Sequence, residues 1–456
     1  MKKFKVKAVI DFSNRLFRIP LIATCVLLLE KCSDKEEREN NNVFFGYVKG
    51  KITVDSLLDL FEKPSKIEKG VITRYLKQVN LRSDQKWIKV MFNPDRFEQV
   101  LNSCSLIVNL SEVFQPLRGN TKWSKFAYDK TLRPNIGPGS FFELDKGTVN
   151  QWGLENYAYP SLTSIRYSKC FTFTKKDWED IASRGAKAYF FICNKPRNSL
   201  LRGVSDYIKW GETGCLTTIR KSRGGGIICS TTWVCKEREK RKEFCGWYDL
   251  GGVVFAPLFA VRHGWYKTRF AITDFSMAMY DAAIALIPKK KLSSIQIKAA
   301  AAYLNSTFCQ LFIETNGRAT SGGVIGLETK VAEKIPILDV TILSKEQLEK
   351  LAKLFDELED KTRQQKGADT LEKIQSLNVE FQRIDQYIGK LVGFSVDEIE
   401  ILQSAVTTLI ERRTSRMKEA KPETIIGKET SRIKTPAKRK KGPKFAEFSV
   451  PLDKWT

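Results

Sequence analysis

The sequence predicts an α/β protein in which a few sheet-edge strands precede a mixed α/β domain and a helical C-terminal segment. Short apolar and β-branched runs occupy the first 50 residues. The middle is rich in Trp, Tyr, Phe and Gly, with short strand-like runs between turns. Beyond residue 340, apolar residues recur at helical spacing behind helix-capping residues.

Residues 1–50 contain strand-like runs at Lys7–Phe12, Ile22–Glu30 and Val43–Val48. The second run, within ATCVLLLEK, is continuously apolar, which is typical of a strand buried on both faces. A polar loop that ends in Asn40–Asn42 separates it from the third run and predicts an antiparallel hairpin at a sheet edge. Three strands are too few for an independent domain, so we expect the end of a sheet whose beginning is absent.

The same N-terminal stretch has basic residues before an apolar run, which imitates a secretion signal or membrane anchor. Pro20 and Thr24 interrupt that run, and Glu30 and Lys31 precede Cys32 where a processing site needs small residues. The run is also shorter than a bilayer-spanning helix. We therefore expect a cytoplasmic protein without a membrane partner.

Residues 51–80 predict a helical connector, because Leu57, Leu58 and Phe61 share one helical face. Residues 81–340 form the mixed domain, with strands predicted in 187–194 and 281–289 and a long helix over 293–315.

Residues 341–416 predict a helical hairpin or a short coiled coil. Ser344 and Gln347 form a capping box before a helix whose apolar stripe includes Leu351 and Phe355. A second helix stops at Gly393, and Ser395 with Glu398 opens a third. Residues 417–456, which contain KRKKGPK, predict a basic disordered tail.

The charge balance favours a polyanionic partner. Lys and Arg number 77 against 52 Asp and Glu, a formal net charge of +25, and such an excess is typical of nucleic-acid binding. General solubility is the alternative interpretation.

The cysteines and the single histidine indicate neither a metal site nor a catalytic site. The 10 cysteines include no C-x-x-C pair, so zinc is not expected, and reduced thiols are the default. The motifs of serine hydrolases, P-loop enzymes and zinc proteases are absent from the sequence. His263 is most simply a surface or packing residue.

Basic residues interleaved with aromatics and glycines mark candidate DNA contacts in the middle of the chain. Arginine reads guanine edges bidentately, and aromatic rings stack on bases or pack as wedges. The basic candidates are Arg220, Arg223, Arg262, Lys267, Arg269 and Arg318, and the aromatic candidates are Trp247 and Trp265.

The order of these segments resembles the C-terminal half of adenine-N6 DNA methyltransferases that carry their own target-recognition domain, of the Eco57I-like and type I-like kind. Four segments carry the resemblance: IDFSNRLFRIPLIATCVLLLEK, KEFCGWYDL, the Leu304–Ser306 element with its glycine-rich loop, and VGFSVDEIEILQSAVTTLIERR. The resemblance implies that residues 1–50 are the terminal strands of a class I methyltransferase sheet and that 81–340 is a target-recognition domain for double-stranded DNA.

One departure from that family concerns catalysis. The family's glycine-rich S-adenosylmethionine loop and its Asn/Asp-Pro-Pro-Tyr/Phe motif, which holds the flipped adenine, are absent from this sequence. The nearest string, FNPDRF at 92–97, has Asp95 in place of the second proline. The resemblance therefore implies a donor site and a catalytic half on a separate chain, and a truncated gene, a split subunit or a misassigned start would each explain this.

Two functional hypotheses follow. The first is the target-recognition part of a site-specific adenine-N6 DNA methyltransferase from a restriction–modification or phage-defence system, and whether a nuclease or translocase accompanies it stays open. The alternative is a standalone sequence-specific DNA-binding protein or a type I-like specificity subunit. Such subunits usually have two recognition domains, whereas only one such region is visible here.

Overall fold

The structure is a computed structural model that describes residues 3–13, 25–49, 71–83, 85–119, 139–216, 227–279, 282–320 and 323–418. Its strands are β1 Phe4–Phe12, β2 Cys25–Lys31, β3 Asn42–Val48, β4 Val71–Lys77, β5 Ile107–Asn109, β6 Phe114–Arg118, β7 Glu143–Leu144, β8 Ala158–Pro160, β9 Thr172–Phe173, β10 Tyr189–Phe191, β11 Leu258–Val261, β12 His263–Gly264, β13 Phe270–Thr273, β14 Ala283–Pro288, β15 Arg318–Ala319, β16 Ile325–Gly326 and β17 Pro336–Leu338.

The α-helices alternate with these strands, which confirms the predicted α/β class. They are α1 Lys35–Asn40, α2 Ile88–Phe92, α3 Asp95–Ser103, α4 Leu110–Val113, α5 Gly139–Phe142, α6 Lys146–Trp152, α7 Lys175–Ser183, α8 Arg202–Thr213, α9 Trp233–Glu239, α10 Ser294–Leu304, α11 Thr307–Asn316, α12 Thr329–Ala332, α13 Lys345–Gln364, α14 Leu371–Gln375, α15 Asn378–Val392 and α16 Val396–Lys418. No helix of the described residues is long and apolar enough to cross a membrane.

The N-terminal sheet has the strand order β2-β1-β3-β4. The three predicted strands are present, but the predicted hairpin between the second and third is wrong. β1 lies between them, antiparallel to β2 and parallel to β3. The polar connection forms α1, which Asp34 caps by accepting a hydrogen bond from the Glu37 backbone N–H. A helix in the connection allows the chain to cross over β1.

The predicted burial of β2 is also wrong. Six of its seven residues are exposed, because β2 is an edge strand and hydrogen-bonds only to β1 among the described residues. In contrast, β1 and β3 are central strands and are buried along most of their length.

The connector predicted as helix over 51–80 is corrected at its C-terminal end. Residues 71–77 form β4, which pairs antiparallel with β3 along its whole length, and a single 3-10 turn follows at Gln78–Asn80. Pairing with an existing strand outweighs a weak local helical pattern. Residues 51–70 lie outside the described part of the chain.

A five-stranded sheet of order β6-β14-β11-β13-β9 forms the centre of the middle region. The alanine-rich α10 packs on β13 and along α13. The small side chains of Ala299–Ala302, all fully buried, allow this close approach. Helices beyond residue 341 therefore share one hydrophobic core with the central sheet.

Most of the predicted start and stop signals of the C-terminal helices are present in the structure. The capping boxes at Ser344–Gln347 and Ser395–Glu398 are formed, and Gly393 ends α15 with φ 84°. The helix predicted over 293–315 divides at Asn305–Ser306 into α10 and α11. Of the predicted tail, residues 419–456 lie outside the described residues.

Candidate nucleic-acid interface

A small three-stranded sheet, β12-β16-β15, presents two basic-type side chains on either side of a glycine. His263 pairs with Gly326, and Arg318 pairs with the same glycine from the opposite side. Cross-strand partners share a face, so His263, Gly326 and Arg318 form one row, named here the 263–326–318 row. Both side chains are exposed.

Gly326, the central residue of the row, has no side chain. A Cβ atom at this position would come within 3.3 Å of the Arg318 carbonyl oxygen and 3.8 Å of the His263 ring. Glycine therefore lets the two flanking side chains lie close to its backbone, which is itself buried. No acidic side chain among the described residues pairs with Arg318.

Trp265 stands next to this row at a tight turn. Its indole is 49% exposed, which is unusual for the largest apolar side chain. The preceding Gly264 is required by the turn, because a Cβ there would lie 2.9 Å from the Lys267 carbonyl oxygen. The chain thus presents an exposed aromatic ring one turn beyond His263.

Arg413 of α16 holds the loops that support the row. Its guanidinium makes a two-bond ion pair with Glu314 of α11, with both N···O distances 2.9 Å. It also donates to the Gly323 carbonyl oxygen at 2.6 Å, to that of Tyr266 at 3.2 Å and to that of Trp265. Both charged residues are buried. One guanidinium therefore ties the Trp265 turn and the glycine-rich loop to two helices, a contact set named here the Arg413 clamp.

Gln310 extends the clamp toward the central sheet. Its amide nitrogen donates to Glu314 at 2.8 Å, and its amide oxygen accepts from the Thr268 backbone N–H at 3.1 Å. The Glu314 carboxylate is therefore satisfied on both oxygens, as a buried charge requires.

Asn305, at the break between α10 and α11, anchors the strand that follows this turn. Its side-chain amide accepts from the Phe270 N–H at 3.1 Å and donates to the Phe270 carbonyl oxygen at 2.8 Å. A residue on a neighbouring strand would make the same two hydrogen bonds to the Phe270 backbone. The Asn305 side chain therefore takes the place of a strand partner at this end of β13. The Leu304–Ser306 element of the sequence thus has a structural role.

We expect Asn305→Ala to lower the free energy of unfolding by about 1–2 kcal/mol, because it leaves buried backbone groups of Phe270 without partners. Urea denaturation followed by tryptophan fluorescence measures this. Asn194→Ala, at an exposed asparagine, is the matched control and should be near neutral. Equal midpoints for both variants would contradict the anchoring role.

Three of the basic residues predicted to contact DNA make internal contacts instead. Arg262 forms an ion pair with Glu328, with N···O distances of 3.0 and 3.1 Å. Arg269 donates to the carbonyl oxygens of Ser168 and Lys169. These contacts direct both guanidinium groups into the protein, which argues against their reading DNA.

Lys267 is the third of these residues. Its ammonium group lies 3.4 Å from the centre of the Phe381 ring, a cation–π contact. Burial lowers the pKa of Lys267 to about 8, and the nearby Asp385 carboxylate opposes the shift. This lysine joins the 262–270 segment to α15 through its contact with Phe381.

Trp247 is likewise part of a core. It is 1% exposed, lies against Phe141 and donates its indole N–H to Glu212 at 2.8 Å. The KEFCGWYDL segment therefore contributes packing to a second hydrophobic cluster, not an aromatic ring for stacking on a base. Arg220 and Arg223 lie outside the described residues, so their predicted DNA contacts stay predictions.

Two cysteines depart from the predicted reduced state. Cys215 and Cys229 form a disulfide, with their Cα atoms 5.6 Å apart. An isolated β-bridge between Leu216 and Ile228 brings the two segments together. The spacing of the two cysteines in the sequence does not by itself indicate their pairing. Within the described ranges, no group of three His, Cys, Asp or Glu side chains could hold a metal ion.

The string nearest to the methyltransferase motif, FNPDRF, forms the junction of α2 and α3. The Asn93 side-chain nitrogen donates to Glu98 at 2.7 Å, and the Asn93 backbone carbonyl oxygen accepts from Arg74 at 2.6 Å. The Asn93 side-chain oxygen is buried without a hydrogen-bond partner. Pro94 is the N-cap of α3. The Asn93 side-chain nitrogen is therefore engaged at the junction of α2 and α3.

Comparison with known proteins relates the chain to the C-terminal part of type II methyltransferases. Residues 111–377, more than half of the chain, match the family described as "Type II methyltransferase M.Eco57I, C-terminal domain". The chain is 23% identical over 356 residues to "Type II methyltransferase M.AccI" of Acinetobacter calcoaceticus, covering 76% of this chain. It spans 56% of that relative's length.

Among solved structures, the type IIG restriction endonuclease BpuSI is similar over 92% of this chain and 44% of its own, at 13% identity and a TM-score of 0.40. The match to the family over 111–377 includes the central sheet, α10, α11 and the 263–326–318 row. The chain therefore belongs to the family of the C-terminal domain of the type II methyltransferase M.Eco57I.

Proposed function

We propose that this chain is the DNA target-recognition part of a site-specific adenine-N6 DNA methyltransferase from a restriction–modification or phage-defence system. It binds double-stranded DNA, and a catalytic half on a separate chain binds S-adenosylmethionine and transfers the methyl group. The observation that carries the proposal is the exposed side chain of Arg318 in the 263–326–318 row, with the exposed Trp265 beside it. Membership of a methyltransferase family supports it.

The chemistry of the row suits base recognition. Arg318 has the planar fork that donates two hydrogen bonds to guanine O6 and N7, and it has no competing carboxylate among the described residues. His263 lies on the other side of Gly326 from Arg318 in the same row.

Trp265 provides a separate function. An exposed indole at a turn can stack on an unpaired base or insert between base steps, which helps to extrude a target base from the duplex. The catalytic half would then act on the extruded adenine. In this proposal the recognition chain positions the DNA and distorts it.

The Arg413 clamp makes the site rigid before DNA arrives. A preorganised loop loses less conformational entropy on binding than a loop that must be ordered. Because Arg413 is neutralised by Glu314 and buried, its role is to position the loops, and DNA contact is left to the exposed row.

In this proposal the S-adenosylmethionine site lies on the separate catalytic chain. In the described residues, the string closest to the family's catalytic motif is engaged in a helix junction through Asn93 and Pro94. We therefore assign no methyl-transfer step to the side chains of this chain.

The purified chain is expected to bind a duplex selected from a randomised library, with an affinity that falls steeply as salt rises. About six to ten phosphate contacts would cost roughly 10³–10⁵ in affinity between 50 and 200 mM salt. Fluorescence anisotropy of a labelled duplex measures this. An unselected duplex of equal length is the control, and it should bind more weakly with a similar salt slope.

A parallel measurement addresses the donor. Isothermal titration of the chain alone with S-adenosylmethionine is expected to show no binding. Binding of the donor by this chain would contradict the proposal that the catalytic half is separate. Absence of DNA binding would contradict the recognition function itself.

A further inference from the structure

The end of α11 that leads into Arg318 is held by a lysine from a distant part of the chain. The Lys86 ammonium group donates to the Asn316 backbone carbonyl oxygen at 3.0 Å and to that of Gly317. These two carbonyl groups immediately precede Arg318 in the chain. Lys86 therefore holds the backbone that carries the proposed base reader, although it lies 231 positions before Gly317.

The chemistry of a helix terminus explains why a lysine suits this place. The last carbonyl oxygens of a helix have no partner within the helix, and the helix dipole makes that end partially negative. The α11 helix ends at Asn316, and the N–H of its C-cap Gly317 donates to the Ile313 carbonyl oxygen. The Lys86 ammonium group supplies both donors and positive charge where α11 needs them.

Gly317 places this turn in close contact with its surroundings. A Cβ atom there would lie 2.6 Å from the Ile313 carbonyl oxygen and 3.0 Å from the Ile325 side chain. Arg318 then pairs with Gly326 between β15 and β16. The turn is thus packed against α11 and β16, and the lysine supplies a third contact from elsewhere in the chain.

The segment that carries this lysine is itself fixed on two sides. The Trp87 ring meets the Phe45 ring of β3 edge-on, with the ring centroids 6.5 Å apart. The Lys89 ammonium group lies 5.8 Å from the centre of the Phe312 ring, one helical turn before the end of α11. The segment therefore connects the last turn of α11 to the N-terminal sheet.

We infer that Lys86 is a positioning residue for base recognition, which fixes the direction of the Arg318 guanidinium by holding the two carbonyl groups before it. This inference rests on the proposed function, in which Arg318 reads DNA. A bidentate contact to guanine needs two N–H groups in line with O6 and N7. A small shift of the strand therefore costs base discrimination, while phosphate contacts elsewhere keep the general affinity.

Lys86→Met tests the inference, because methionine keeps an apolar stem and removes the donors and the charge. The variant should lose about fivefold of the discrimination at the base pair that Arg318 reads, the scale of one net hydrogen bond. Discrimination at the other base pairs should be unchanged. Lys86→Arg, which restores a cationic donor, should recover most of the loss. Lys345→Met, at a lysine whose side chain is 89% exposed on α13, is the matched control and should keep full discrimination.

A double variant separates positioning from an independent contribution. Once Arg318→Ala has removed the base contact, adding Lys86→Met should cause no further loss of discrimination. Fluorescence anisotropy against the selected duplex and its single-base variants measures each value. Discrimination is a ratio of two affinities from one preparation, so a partly unfolded variant still gives a valid ratio.

Three results would overturn the inference. The first is unchanged discrimination in Lys86→Met. The second is an equal loss on every duplex with a shallower salt dependence, which would make Lys86 a phosphate contact. The third is additive loss in the double variant. An unsubstituted chain that does not prefer the selected duplex to an unselected one would instead indicate failure of the proposed function.

Discussion

Arg413→Ala is expected to lower the free energy of unfolding by about 3–5 kcal/mol, the scale for removing one partner of a buried ion pair. The substitution leaves the Glu314 carboxylate buried without its cation and removes donors from the carbonyl oxygens of Trp265, Tyr266 and Gly323. Urea denaturation monitored by circular dichroism measures the change. Because the clamp orders the recognition loops, affinity for the selected duplex should fall as well.

Arg184→Ala is the matched control for this substitution. Arg184 forms an exposed ion pair with Asp180 at 3.1 Å on α7, and removal of such a pair costs about 0–1 kcal/mol. A double variant, Arg413→Met with Glu314→Leu, should recover part of the lost stability, because no isolated charge remains buried. If Arg413→Ala unfolded at the same urea concentration as Arg184→Ala, the clamp would have no structural role.

Arg318→Ala is expected to weaken binding to the selected duplex by about 1–3 kcal/mol and to relax the preference at one base pair. The reason is the loss of a bidentate contact from an exposed guanidinium. Folding should be unaffected, because the Arg318 side chain has no hydrogen-bond or ion-pair partner among the described residues. Anisotropy titrations against the selected duplex and its single-base variants measure both effects.

Arg202→Ala provides the comparison for charge alone. Arg202 is an exposed arginine at the start of α8, so its removal lowers the net charge equally. If both variants lost the same affinity on all duplexes, Arg318 would be acting as a phosphate contact or as bulk charge and not as a base reader.

Local signals predicted much of the chain correctly. The strands near Lys7–Phe12 and Val43–Val48, the capping boxes at Ser344 and Ser395, and the stop at Gly393 all appear in the structure. Each depends on residues within a few positions of one another, so the sequence carries the information directly. The α/β class and the resemblance to Eco57I-like enzymes followed from the order of these elements.

Strand partners could not be predicted in the same way. The order β2-β1-β3-β4 places β1 between β2 and β3, the two strands that the predicted hairpin would have paired. An apolar strand has the same sequence whether its edge and faces are covered or open. For this reason the continuous run in β2 predicted burial, although the leucines are exposed.

The candidate site shows the same limit. Arg262, Lys267 and Arg269 lie in a basic, aromatic segment that is typical of a DNA contact, yet their partners are Glu328, Phe381 and the Ser168 carbonyl. Those partners lie far away along the chain, so no local pattern shows that the charges are satisfied. His263 was interpreted as a surface or packing residue, and only its register with Gly326 places it beside Arg318.

The sequence by itself determined the α/β class, the helices and their caps, the basic character and the family resemblance, because these depend on composition and short-range spacing. The tertiary structure decided which arginine is exposed and which is buried, since a buried guanidinium needs a specific partner that folding brings close. Arg413 meets Glu314 across 99 positions of sequence, and that contact, invisible to any periodicity, holds the loops on which Trp265 and the 263–326–318 row depend.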